Sequence, residues 1–96
     1  MPTYLIVDTL LEHPDRYEAY KLEAKPIVEK FGGEYLVRGG AMVIKESDLW
    51  TPSRMVVVRF PDIDAATRFY ESPEYQAVLP ISKDSARRTM IMVDGV

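Results

Sequence analysis

The sequence predicts an α+β fold, a split β-α-β arrangement with the element order βαββαβ, and three observations carry the prediction. Four short segments are rich in β-branched and large apolar residues. Two segments between them carry apolar residues at three- and four-residue spacing, the mark of an amphipathic helix. No internal repeat, low-complexity tract or linker separates them, and 96 residues make one domain, residues 1–96. This order is the ferredoxin-like one, with helices on one face of an antiparallel four-stranded sheet.

The first strand is expected over Thr3–Leu10. His13-Pro14-Asp15 opens a helix, proline being tolerated in a first turn where its missing N–H would be unpaired anyway. Tyr17, Tyr20, Ala24, Ile27, Val28 and Phe31 form its apolar stripe, while Glu18, Lys21, Glu23, Lys25, Glu29 and Lys30 cover the rest. Pro26 is expected to kink it, and Gly32-Gly33 to end it. The second strand reads as Glu34–Arg38 and Ala41–Glu46, split by a bulge at Gly39-Gly40. Ser47–Ser53 is a turn and Arg54–Phe60 the third strand. Asp62 is the expected N-cap of a second helix burying Ile63, Ala66, Phe69 and Tyr70. Ser72-Pro73-Glu74 looks like a fresh cap, opening a piece with Tyr75, Val78 and Leu79 that Pro80 breaks. Lys83–Arg87 is read as a last helical turn and Arg88–Asp94 as the fourth strand.

The strands are apolar on both faces: Leu5 and Val7 against Tyr4 and Ile6, Met55 and Val57 against Val56 and Val58, Ile91 and Val93 against Met90 and Met92. A sheet with one wet face alternates apolar and polar residues instead. Two helices cover one side only, so the other side calls for a partner, and a second copy packed sheet on sheet is the simplest one.

Composition removes several classes of function. The chain is 47% hydrophobic and 28% charged, with net charge −3 and a pI of about 5.1. That balance lacks the footprint of a general nucleic-acid or anionic-membrane binder. The run Lys83, Arg87, Arg88 has no aromatic interleaving and reads as a solvated face. With no cysteine there is no disulfide, zinc–thiolate, iron–sulfur or thiol chemistry, and one histidine cannot build a multi-histidine metal site. No cofactor and no metal is expected. Met1-Pro2-Thr3-Tyr4 lacks a basic start and no segment approaches the ~20 apolar residues of a membrane span. A cytoplasmic location is the default expectation.

The motifs Tyr20-Lys21, Gly33-x-Tyr35-Leu36-x-Arg38-Gly39-Gly40, Trp50-x-Pro52-x-Arg54, Phe60-Pro61, Ala66, Phe69-Tyr70-x-Ser72-Pro73-x-Tyr75-Gln76 and the closing strand before Gly95 span nearly the whole chain. In these the chain resembles domain-of-unknown-function family thirteen-thirty, small bacterial proteins of the dimeric α/β-barrel superfamily. It departs from the family pattern at Arg59, where the family usually has glutamate before Phe-Pro, and at Glu46-Ser47, where it usually has Glu-Gly. The resemblance implies a ferredoxin-like homodimer and no established reaction.

Candidate functional residues fall in two groups. Arg38, Arg54 and Arg59 lie in or beside apolar strands, where a guanidinium is costly to bury unpaired. Either each pairs with a structural carboxylate such as Asp8, Glu34 or Asp94, or Arg38 or Arg54 clamps a small ligand's carboxylate bidentately. Arg54 and Arg59 differ in parity and belong on opposite faces. Tyr20, Tyr35, Tyr70 and Tyr75, with Trp50, are the second group. They are core tyrosines with satisfied hydroxyls, or donors that hold an enolate or phenolate oxygen in an apolar pocket. His13 reads as an exposed loop residue, Ser72 as a cap and not a nucleophile, and Gly39-Gly40 as no phosphate loop. The functional expectation is a pocket for a small carboxylate or aromatic molecule, lined by Tyr20, Arg38, Trp50, Arg54, Tyr70 and Tyr75. A cofactor-independent monooxygenase- or isomerase-like enzyme would use such a pocket; a non-catalytic dimerisation module is the alternative.

Overall fold

Along the first strand, alternate side chains commit to opposite faces, and this sets the whole layout. In the computed structural model, which describes residues 1–96 throughout, β1 (Thr3–Leu11) buries Thr3, Leu5, Val7 and Thr9 and turns Tyr4, Ile6, Asp8 and Leu10 outward. It is followed by α1 (Pro14–Lys30), β2 (Glu34–Arg38), β3 (Met55–Phe60), α2 (Ile63–Glu71), α3 (Pro73–Ser85) and β4 (Ala86–Asp94). The sheet is antiparallel, in the order β2-β3-β1-β4. This is the ferredoxin-like fold, with the second helical segment built from two helices. No helix is long and apolar enough to cross a membrane.

The core lies between the helices and the inner sheet face. Leu5, Val7, Val56, Val58 and Phe60 come from the strands, and Tyr17, Tyr20, Ala24, Val28, Ala66, Phe69 and Tyr75 from the helices. The expected caps form. Asp62 accepts the Ala65 N–H at 2.8 Å, and Ser72 Oγ accepts the Tyr75 N–H at 3.1 Å. Gly32 closes α1 at φ +87°, a conformation costly for any residue with a Cβ.

Five details differ from expectation. Pro80, expected to break its helical piece, is carried within the continuous α3; Pro26 also lies inside a continuous helix, α1. The carbonyls they leave without an i+4 donor belong to Leu22 and Gln76, both exposed residues on the solvent side of their helices. β1 reaches Leu11, and Ala86 and Arg87 pair with Leu11 and Leu10, so β4 starts two residues early. The bulge falls at Leu36, between the Tyr35–Val58 and Val37–Val57 pairs, and not at the glycine pair. Gly39, at φ +72°, turns the chain off the sheet after a last rung to Met55, and Ala41–Glu46 forms no strand. Ile63, expected inside, is exposed, because Ala65, Ala66 and Phe69 form the inward face of α2.

Candidate functional site

The bulge at Leu36 decides which face Arg38 takes. In an unbroken strand Arg38 would share the outward face with Leu36. The extra residue leaves Leu36 and Val37 both exposed and brings Arg38 round to the helix side, opposite buried Val56. Arg54 comes to the same side by the parity of β3, two residues before Val56. Arg88 does so by the parity of β4, opposite buried Thr9. Arg59 has the other parity and is exposed on the outer side.

Arg38, Arg54 and Arg88 line one cleft between the sheet and α1, together with Lys21, Tyr17, Tyr20, Tyr35 and an apolar floor that includes Leu5, Val7 and Met90. The free space in the cleft is about 30 Å3, enough for about two waters, inside an open hollow of about 410 Å3 that includes bulk solvent. No Asp, Glu or His is among the lining residues.

None of the three arginines makes an ion pair; the pairs present are Lys21–Glu18, Lys25–Glu29 and Lys30–Glu74. Asp8 is on the other face, where its carboxylate accepts the backbone N–H groups of Ser53 and Arg54 and the indole N–H of Trp50. Asp94 accepts the Thr3 hydroxyl. Each arginine lies instead over a tyrosine ring: Arg38 over Tyr35 at 4.5 Å, Arg88 over Tyr20 at 4.9 Å and Arg54 over Tyr17 at 6.0 Å. A ring face holds a guanidinium, by about 0.5–2 kcal/mol, without neutralising it. Arg38 also donates to the Lys21 carbonyl at 3.0 Å. Gly39 seats Arg54: a Cβ there would come within 2.6 Å of its Nε and 2.8 Å of its Nη2.

Tyr20 and Arg88 line the cleft and hold fully buried Tyr75 behind them: Tyr20 Oη and Tyr75 Oη are 2.7 Å apart, and Arg88 donates to both, at 2.9 and 3.1 Å. Burial pushes the Tyr20 hydroxyl well above the ordinary phenol range, with the Tyr75 hydroxyl adding to the effect, so Tyr20 stays protonated at neutral pH. Burial also raises Tyr35, against the opposing pull of Arg38. Burial works against the Arg88 charge, but the Tyr20 and Tyr75 oxygens outweigh it and hold its pKa above the ordinary value.

Of the residues singled out from sequence, Tyr20, Arg38 and Arg54 meet in this cleft, and fully buried Tyr75 stands behind it, hydrogen-bonded to Tyr20. Tyr70 packs on Tyr75 but faces a neighbouring groove with Lys83 and Arg87, which shares Arg88 and Met90 with the cleft. Trp50 lies on the outer face of the sheet, tied to Asp8 beside Ile6, Met55 and Ile91. Sequence reasoning passed over Lys21 and Arg88. The alternation Ala86-x-Arg88-x-Met90-x-Met92 was the signal for Arg88.

Comparison with known proteins agrees with this architecture. A family model described as "Domain of unknown function (DUF1330)" matches residues 2–96, and the chain belongs to that family. A dimeric ferredoxin-like protein of unknown function from Jannaschia sp. CCS1 is similar at TM-score 0.77 and 15% identity, over 99% of this chain and 100% of its own. A protein of unknown function from Rhodopseudomonas palustris is similar at TM-score 0.74 and 18% identity, over 99% of this chain and 82% of its own. SnoaB, a cofactor-independent oxygenase from Streptomyces nogalater, is similar at TM-score 0.74 and 10% identity, over 99% and 93%. No curated protein matches the chain.

Proposed function

We propose that this DUF1330 protein binds a small carboxylate-bearing molecule, aromatic ones included, in the arginine-lined cleft of each protomer of a homodimer. One observation carries the reading: three guanidinium groups line a single cleft and no carboxylate pairs with any of them. A buried or half-buried charge without a counter-charge is costly, and a ligand carboxylate relieves that cost through charge-assisted bonds. The guanidinium groups of Arg38 and Arg54 take the carboxylate, and the tyrosine rings beside them flank the body. The same donors suit a cofactor-independent enzyme on this fold, of which SnoaB is one. A dimerisation module without a ligand is the competing reading, and the small free volume of the cleft speaks for it.

The homodimer is supported by the outer sheet face. Tyr4, Ile6, Met55, Val57, Ile91 and Val93 form an apolar surface that no helix covers and that Trp50 flanks, with Ile91 51% and Val93 45% exposed. The Jannaschia relative is dimeric.

Calorimetric titration with benzoate and its neutral isostere benzamide tests the ligand reading. Benzoate binding without benzamide binding is expected. Arg38→Ala and Arg54→Ala are each expected to weaken it about ten- to a hundredfold, the worth of one charged hydrogen bond. Equal binding of benzamide, or no carboxylate binding by a folded protein, would leave the module reading in its place.

A further inference from the structure

The protons of the Tyr20–Tyr75–Arg88 group can be counted. Each phenol carries one O–H, and a guanidinium only donates. Tyr20 Oη receives one Arg88 N–H, Tyr75 Oη receives another, and a single hydroxyl proton lies between the two oxygens. One of the two hydroxyl protons is therefore left over and needs an acceptor outside the group.

Where that proton lies follows from burial. Tyr75 is fully buried and does not reach the cleft, whereas Tyr20 lines it. A spare O–H on Tyr75 would be sealed in the core without an acceptor, at a cost of about 1–3 kcal/mol. Tyr75 thus donates to Tyr20, and the free O–H of Tyr20 is left for the cleft. Arg88 pins both oxygens, so this donor is held in place before any ligand arrives. Around it stand the Arg38, Arg54 and Arg88 charges and the Lys21 side chain, with no carboxylate or imidazole to take up a proton.

Fixed donors and cations without a base favour the ionised form of a ligand over its neutral acid. For a carboxylic acid this changes nothing at neutral pH, since it is ionised already. The effect falls on weaker acids. We propose that the cleft binds acidic phenols and enols as their oxyanions, the Tyr20 O–H donating to the oxygen and Arg88 supplying the neighbouring charge. This deepens, and rests on, the reading of the cleft as an anion site. On binding, the ligand O–H bond breaks, its electron pair stays on oxygen, and the proton leaves through the open mouth to water. No oxidant or reductant takes part.

The probe is 4-nitrophenol, whose neutral and ionised forms absorb at different wavelengths, titrated by pH with saturating protein; 4-nitrobenzoate serves as an anion that is ionised throughout. The bound phenol is expected to ionise about one pH unit lower than in water, a tenfold preference for phenolate. Tyr20→Phe should abolish most of the shift while 4-nitrobenzoate still binds, and Tyr75→Phe, which leaves the Tyr20 O–H in place, should keep it. An unshifted 4-nitrophenol beside bound 4-nitrobenzoate overturns the oxyanion site and spares the carboxylate reading. Failure of both probes to bind overturns both. Should Tyr20→Phe not fold, as circular dichroism would reveal, the wild-type titration decides by itself.

Discussion

Replacing Gly39 by alanine separates the fold from the site in one experiment. At φ +72° a residue with a Cβ is strained by about 1–2 kcal/mol. In a domain of this size each kcal/mol lowers Tm by about 4–8 °C. The second effect is local. The new methyl would sit 2.6 Å from Arg54 Nε and 2.8 Å from its Cζ, and the flexible arginine head yields before the backbone does. Displacing that head removes one charged contact from the cleft, so benzoate affinity should fall about ten- to a hundredfold. Gly40→Ala is the control, because its Cβ meets nothing within 4 Å and its φ is not positive. It should change stability by less than about 0.5 kcal/mol. Urea denaturation reads the first effect and calorimetry the second. In an Arg54→Ala background the affinity penalty of Gly39→Ala should vanish while the stability penalty persists. If Gly39→Ala weakens binding as much without Arg54 as with it, the glycine does not act by seating that side chain.

Three further outcomes are expected. Tyr75→Phe removes the donor to Tyr20 and an acceptor for Arg88, and should cost about 1–3 kcal/mol in urea denaturation; an unchanged midpoint would mean the hydroxyl pair contributes nothing to stability. Ile91→Lys places a charge on the outer face. It should shift the mass measured by light scattering from twice 11.0 kDa to the single-chain value while leaving the cleft intact; a wild-type monomer would sink the sheet-on-sheet arrangement. Burial raises the Asp8 pKa, but the bonds from Ser53, Arg54 and Trp50 outweigh it and hold the carboxyl below its ordinary value. Its contribution is therefore complete above the unfolded-state pKa and is lost as pH falls through the lower folded one. Trp50, the only tryptophan, should report the release as a fluorescence transition centred below pH 3.8, absent in Asp8→Asn.

The fold was readable because its signals are local. Asp62 and Ser72 announce two helix starts, Gly32 a helix end, and the doubly apolar strands a sheet in need of cover on both sides. The site was less readable because it depends on parity, and parity depends on boundaries that local signals leave loose. Beginning the last strand at Arg88 and carrying a helical turn through Arg87 made the pair look like a solvated run. Pairing of Ala86 with Leu11 sets the true register and turns Arg88 inward. Arg38 is a sharper case: its face follows from a bulge at Leu36, a residue with no bulge signature, while the glycines that do carry one serve the turn and the Arg54 seat. Trp50 stands in the irregular stretch between β2 and β3, where only the long-range bond to Asp8 decides its face.

A protein that needed its arginines only for structure would meet them with carboxylates, and this chain has fifteen Asp and Glu to draw on. It places a tyrosine ring under each of the three instead. The difference is chemical. A carboxylate fixes a guanidinium by cancelling its charge, whereas a ring face fixes it and leaves the charge unspent for a third group. The outer sheet face shows the opposite choice. There Asp8 makes no ion pair and is satisfied by N–H groups, which serves structure by tethering Trp50 to the sheet. Alternate residues of β1 thus serve two ends, Leu5 and Val7 in the floor of a cationic cleft and Ile6 and Asp8 on an apolar face. A substitution on one parity should leave the function of the other unmoved.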